Sequence, residues 1–188
     1  MKINPFFYEN NLRNNIENIN IIFLYGTNLG LISLIYKKTI EILKIDINDP
    51  FRVSKIGGDE FKDNPSTLHD NINTLSIFSE KRFVLLDLMH ISINKSLENF
   101  ILEAVKTKNN NYLLIVKTSN LKTSSFIKYF QNTNNSILVP CYEEKTNSIH
   151  SKFTTLFSKH KINIREGFLE NLILNLSSNS LSNEMELE

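Results

Sequence analysis

Short apolar runs alternate with stretches of helical period over the first three quarters of the chain. Five runs have the length and the β-branched, aromatic or aliphatic composition of strands: 21–25, 51–56, 83–88, 112–116 and 137–139. Apolar residues recur at helical spacing in stretches that begin near Asn4, Gly30, Pro65, Asn94 or Ser92, and Ser124 or Ser125. This alternation predicts an α/β fold, a mainly parallel sheet with helices on both faces.

The run 83–88 is almost continuously apolar, which is typical of a strand covered on both faces. Just before it, Ile77 and Phe78 stand between Ser76 and the polar residues 79–81. Two interpretations remain open for this pair. Both side chains could cap the core where a helix meets the strand, or they could be exposed and dock into a pocket of a partner protein.

After residue 140 only helical patterns remain, with one apolar stripe at 149–157 and another at 168–176. We therefore predict an α/β domain over 1–140 and a small all-helical domain over 141–188. The acidic stretch 183–188 begins as a capped helix and stops within its first turns, which favours a piece of a longer protein. The helical domain is then incomplete.

The composition is that of an ordinary globular protein: 188 residues, 41% hydrophobic, 22% charged, with a net charge of +1. No apolar run approaches the ~18 residues of a membrane span, and no signal peptide is readable, so we predict a cytoplasmic location without membrane contact. The near-neutral charge provides no general attraction to nucleic acid. The single cysteine, Cys141, excludes an internal disulfide and a cysteine-built zinc site.

The first strand ends in a loop that resembles a phosphate-binding loop but departs from its pattern. Its candidate residues are Gly26, Thr27, Asn28 and Gly30. In the pattern G-x-x-x-x-G-K-[ST], backbone N–H groups surround the phosphates, Lys neutralises charge and the hydroxyl holds Mg²⁺. Here the second glycine comes one residue early, and Leu31 and Ile32 stand where the Lys and Ser/Thr belong. We therefore expect neither ATP binding nor any other cofactor.

No catalytic or metal-binding residues are predicted. Asp87 resembles the strand-end aspartate that holds Mg²⁺ in nucleotide hydrolases, but Leu88 follows where a catalytic base would stand, which favours a solvated carboxylate. The four histidines show no ligand spacing. No G-x-S-x-G nucleophile elbow is present.

Six short segments, in this order, resemble the delta subunit family of the bacterial DNA polymerase III clamp loader. They are F-L-Y-G-T-N-L-G-L at 23–31, D-P-F-R-V at 49–53, L-S-I-F-S-E-K-R-F-V at 75–84, L-L-I-V at 113–116, L-K-T-S-S-F-I-K-Y-F at 121–130 and P-C-Y-E-E at 140–144. The resemblance implies a RecA-like AAA+ domain without a working ATP site, a helical lid and a C-terminal collar. By this resemblance, the 188 residues would cover the first domain and part of the lid, without the collar.

The resemblance also implies a function. The family's clamp contact is a Leu-Phe pair in a Ser-Leu-Phe segment, which Ser76, Ile77 and Phe78 match with Ile in place of Leu. The chain would bind the sliding clamp (beta subunit) and open the ring during DNA replication, without ATPase activity of its own. Further implied partners are the gamma/tau and delta prime subunits, with DNA contacted indirectly. Polymerase (nucleotidyltransferase) activity would belong to the holoenzyme.

Two alternatives come from other classes of protein. An AAA+ ATPase with an unusual phosphate loop would be stabilised by ATP. A structural subunit of another AAA+ assembly would be closer to the clamp loader's other inactive member, but that member typically carries zinc-binding cysteines, and this chain has one cysteine in all.

Overall fold

The computed structural model describes residues 1–74, 81–107, 110–119 and 124–142, together with residues 154, 157, 158, 167 and 168. The chain divides into two compact units, Met1–Cys141 and Tyr142–Glu188. The fold described below is that of the first unit. The predicted helical lid over 141–188 falls almost wholly outside the described residues and stays a prediction.

The first unit alternates strands and helices. The strands are β1 Ile21–Tyr25, β2 Val53–Gly57, β3 Arg82–Leu88, β4 Tyr112–Thr118 and β5 Ser136–Pro140. The helices are α1 Tyr8–Asn15, α2 Leu29–Ile42, α3 Gly58–Asp63, α4 Ser66–Asn73, α5 Lys95–Ala104 and α6 Ser124–Gln131. Single 3₁₀ turns, Pro5–Phe7 and Ile16–Asn18, flank α1. In the described part of the chain, no helix is long and apolar enough to cross a membrane.

The five strands form one sheet in the order β2-β3-β4-β1-β5, and every neighbouring pair is parallel. The predicted parallel sheet is therefore confirmed. All strands end at the same edge of the sheet, which we call the carboxyl edge, and begin at the opposite amino edge. The carboxyl edge brings together the loop after β1 and the ends of β3 and β4.

Helices cover both faces of the sheet, as predicted. Ile22 and Leu24 of β1 belong to the core that includes residues of α1 and α2, whereas Ile21, Phe23 and Tyr25 belong to the core that includes residues of α3 to α6 on the other face. All five residues are at most 2% exposed. Successive side chains of a strand point to opposite faces, so a strand between two helical layers must be apolar throughout.

Asparagine side chains cap the N-termini of two helices, α2 and α5. Asn28 Oδ1 accepts the Leu31 N–H at 2.9 Å, and Asn94 Oδ1 accepts the Leu97 N–H at 2.9 Å. Each bond satisfies a backbone donor that has no partner within the helix. Of the two caps predicted for α5, Asn94 and Ser92, Asn94 is the one that the structure has, whereas α2 begins one residue before the predicted Gly30 because Asn28 is its cap.

Two local differences from the sequence expectation have physical causes. The second strand was predicted over 51–56 but begins at Val53, because Asp49 Oδ1 accepts the N–H groups of Phe51 and Arg52 and holds them in a turn. Helix α3 was not predicted. It has six residues and Phe61 is its one buried residue, which is too little for a periodic signal.

Aromatic rings anchor α6 to β1, and removing one should destabilise the fold strongly. The Phe130 ring lies 4.9 Å from those of Phe23 and Phe126, centroid to centroid, and is fully buried. We expect Phe130→Ala to lower the free energy of unfolding by about 3–5 kcal/mol in urea titrations followed by circular dichroism. The control Phe6→Ala, at a side chain 55% exposed, should change it by less than about 1 kcal/mol. Equal losses in both variants would contradict this packing.

Candidate functional site

The predicted clamp contact, Ser76, Ile77 and Phe78, lies outside the described residues. Whether the pair is exposed therefore stays a prediction. The structure does describe the residues at both ends of the segment 75–80, which follows α4 and precedes β3.

Both ends of that segment are held by hydrogen bonds. At the first end, Thr107 Oγ1 donates to Asn73 Oδ1 at 2.6 Å, and the Thr74 N–H donates to the Asp70 carbonyl at 2.9 Å. At the second end, Lys81 Nζ donates to the Ile19 carbonyl at 2.7 Å. Burial lowers the pKa of Lys81 from its usual value. Asn73, Thr74 and Lys81, the described residues on either side of 75–80, are thus each held by a hydrogen bond.

At the opposite, carboxyl edge, the degenerate phosphate loop packs directly against the chain that leaves β5. The Asn28 N–H donates to the Cys141 carbonyl at 3.0 Å, and the Cys141 N–H donates to the Tyr25 carbonyl at 2.6 Å. Gly26 has φ +143°, and a Cβ on it would lie 1.8 Å from the Cys141 carbonyl oxygen. Only glycine permits this approach.

The first turn of α2 offers no phosphate-binding side chain. Leu31 and Ile32, at the positions of the Lys and Ser/Thr, are 6% and 0% exposed and belong to the core shared with α1. The Leu31 N–H, a donor that could face a phosphate, instead bonds the Asn28 side chain. This geometry explains in physical terms why we expect the loop not to bind ATP.

A lysine is paired with Asp87, the strand-end carboxylate that resembles a Mg²⁺ ligand of nucleotide hydrolases. Lys117 Nζ lies 2.6 Å from Asp87 Oδ2 and 4.5 Å from the centroid of the Tyr36 ring. Asp87 Oδ1 also accepts the Met89 N–H at 3.1 Å. Burial, and then the negative charge of Asp87, raise the pKa of Tyr36. Interpreting Asp87 as merely solvated is therefore incomplete, because the carboxylate is ion-paired although its side chain is 45% exposed.

Sequence reasoning missed Lys117. Asp87 and Lys117 are register partners in the parallel pair β3–β4, so they lie side by side. They are far apart in the sequence, and nothing in the sequence alone says that β3 and β4 are neighbours. The pairing of Asp87 with Lys117 can be inferred only when the strand order is known.

The histidines give no metal site in the described part of the chain. His69 and His90 are exposed, and the nearest acidic oxygen to His69 Nδ1 is that of Asp70, at 3.8 Å. Within the described ranges no group of three His, Cys, Asp or Glu residues could hold a metal ion. His150 and His160 lie outside those ranges.

Comparison with known proteins gives a match in fold but none in sequence family. No family model and no curated protein matches this sequence. Among solved structures, the DNA clamp loader delta protein of Bacillus subtilis matches with a TM-score of 0.67 at 14% identity, over 96% of this chain and 55% of that one. A DNA polymerase III gamma subunit-related protein of Thermotoga maritima matches with a TM-score of 0.49 at 17% identity, over 95% of this chain and 61% of that one, too weakly to add to the argument.

The class of fold follows from the sheet topology and from the match to the Bacillus subtilis protein. The first unit has the RecA-like fold of AAA+ proteins, as predicted: a parallel sheet of five strands between two helical layers. Its structural neighbours include the delta protein of a bacterial clamp loader, the family whose segments the sequence resembles. This chain spans about half the length of that protein.

Substituting Gly26 tests the contact between the loop after β1 and the Cys141 backbone. We expect Gly26→Ala to lower the free energy of unfolding by about 3 kcal/mol, since its Cβ would overlap the Cys141 carbonyl and φ +143° disfavours any side chain. Gly57→Ala is the control, because no atom lies within 4 Å of the added Cβ. Urea titrations of both variants measure the difference. Equal stability would show that the loop does not pack as described.

The same geometry predicts no response to nucleotide. A ligand at one hundred times its Kd stabilises the folded state by about 2.7 kcal/mol, which a thermal melt detects readily. We expect millimolar Mg-ATP to leave the melting temperature unchanged, with an active AAA+ ATPase as the positive control. A rise that saturates with Mg-ATP concentration would favour the ATPase alternative.

Proposed function

We propose that this chain is the N-terminal part of a clamp-loader delta subunit, which binds the sliding clamp and opens its ring during DNA replication. The observation that carries the proposal is the likeness in fold to a clamp loader delta protein over 96% of the chain. The Ser76-Ile77-Phe78 match to the family's contact segment supports it, because the segment leaves α4 and enters β3 at two anchored points.

The proposed mechanism is binding without chemistry. Phe78 fills an apolar pocket of the clamp and Ile77 packs beside it, so that a small hydrophobic contact supplies most of the affinity. A ligand that prefers the opened ring shifts the ring's equilibrium toward opening by the difference between its affinities for the two states. The energy of the cycle comes from ATP bound to the gamma/tau subunits, and delta prime completes the assembly.

The carboxyl edge of the sheet supports a role in binding without ATP hydrolysis. The loop after β1 is tied to Cys141, the first turn of α2 is apolar, and Lys117 neutralises Asp87. Each of these arrangements removes a feature that phosphoryl transfer requires: a phosphate cradle, a cation for the phosphates and a carboxylate for Mg²⁺. The chain thus works in the cytoplasm as a binding subunit of the polymerase III holoenzyme.

Truncation of Phe78 tests the proposal. We expect Phe78→Ala to weaken binding to the cognate clamp by about 2–4 kcal/mol, measured by calorimetric titration, since a buried aromatic anchor dominates contacts of this kind. Phe6→Ala, at an exposed aromatic of the N-terminal turn, is the matched control and should bind like the unaltered chain. Unchanged affinity of a folded Phe78→Ala variant would reject the proposed function.

A further inference from the structure

Lys117 contacts two parts of the fold that are distant from it in the sequence. It belongs to β4, and its Nζ lies 2.6 Å from Asp87 Oδ2 of β3. The same Nζ lies 4.5 Å from the centroid of the Tyr36 ring of α2. The ion pair joins neighbouring strands, because Asp87 is the register partner of Lys117, and the ring contact joins the sheet to a helix. One ammonium group thus links β3, β4 and α2.

Both contacts of the ammonium group are favourable and neither is sealed from solvent. A cation this close to a ring centroid is attracted by the negative face of the ring. Burial, and then the negative charge of Asp87, raise the pKa of Tyr36, so the ring stays neutral and does not repel the carboxylate. The side chains of Lys117 and Asp87 are 21% and 45% exposed, so dissolved ions can reach the pair.

Asp87 also holds the turn that follows β3. Its Oδ1 accepts the Met89 N–H at 3.1 Å, and the Ser119 Oγ donates to the Met89 carbonyl at 2.8 Å. Residues at the ends of β3 and β4 therefore bind both backbone groups of Met89. The Met89 and Tyr36 side chains pack against the same core, the one shared with α1 and α2.

A continuous chain of contacts runs from this turn to α2. One oxygen of Asp87 accepts the Met89 N–H, the other pairs with Lys117, and Lys117 lies over the Tyr36 ring. Folded proteins open locally in cooperative units, and the contacts between segments decide which segments belong to the same unit. The turn and α2 meet this condition through a single carboxylate and a single ammonium group.

We propose that Tyr36, Lys117 and Asp87 form a salt-sensitive latch, which joins α2 to the turn after β3 so that the two open to solvent together. The inference concerns the free protein and does not depend on clamp binding. Ionic strength sets the strength of the latch, because the Debye length falls from about 30 Å at 0.01 M salt to about 3 Å at 1 M. At low salt the two segments open as one unit, and at high salt they open separately.

Residue-resolved hydrogen exchange of the native protein tests the latch. Lys117→Met removes the charge and keeps most of the apolar stem. We expect it to speed amide exchange in α2 and at Met89 about 3- to 10-fold at about 0.01 M salt, and by less than about twofold at about 1 M. Lys55→Met, at an exposed lysine of β2, is the matched control and should leave both rates unchanged. Slow exchange of the buried β1 amides shows that each variant is folded.

Two further variants distinguish a latch from two independent contacts. Asp87→Asn loses the negative charge, but its side-chain oxygen can still accept the Met89 N–H. It should nevertheless speed exchange in α2, about threefold at low salt, because the ammonium group loses its partner. Tyr36→Leu, in α2, should likewise speed exchange at Met89, whereas Tyr36→Phe keeps the ring and should change neither rate.

Three results would overturn the latch. If Asp87→Asn leaves α2 exchange and Tyr36→Leu leaves Met89 exchange within about twofold of the unaltered chain, the contacts are independent. If Lys117→Met has the same effect at both salt concentrations, the lysine acts through its apolar stem and not through its charge. In the unaltered chain, exchange in α2 and at Met89 should speed up in parallel as salt is raised. Rates that do not change with salt contradict the proposal without any variant.

Discussion

The structure depends on the burial of β1 from both sides. Its five residues are at most 2% exposed, and they belong to the two cores that the helices cover on opposite faces of the sheet. β1 is also hydrogen-bonded to two neighbours, β4 and β5. A strand enclosed in this way must be apolar on both faces, and its pairing with β4 and β5 defines its register. The geometry of the carboxyl edge follows from where this strand must end.

That geometry gives the carboxyl edge a different character from the amino edge. At the carboxyl edge the polar groups satisfy one another: Lys117 pairs with Asp87, and the backbone around Gly26 bonds the chain at Cys141. At the amino edge, the Arg82 Nη2 donates to Ser54 Oγ, and the Arg52 guanidinium carbon lies 5.7 Å from the centroid of the Phe83 ring. The Phe51 side chain of the turn before β2 is exposed.

The sequence predicted the features that depend on local periodicity. Most strand and helix positions follow from patterns within about ten residues, and the structure has them apart from the start of β2 and the short helix α3. The strand order, the Asp87–Lys117 pair and the contact of Gly26 with Cys141 join residues distant in sequence, so no local pattern reveals them. Phe51 was misassigned for a related reason. Apolar alternation alone cannot show that Asp49 holds the turn.

The hydrogen bond from the Asn28 N–H to the Cys141 carbonyl ties the start of α2 to the last residue of the first compact unit. Asn28 also caps α2, whose first turn places Leu31 and Ile32 in the core, so the end of this unit is linked to its core through a single helix cap. In a nucleotide hydrolase the backbone N–H groups of this loop surround the phosphates. Here one of them is used by the protein's own backbone, so the two elements are held together without any ligand.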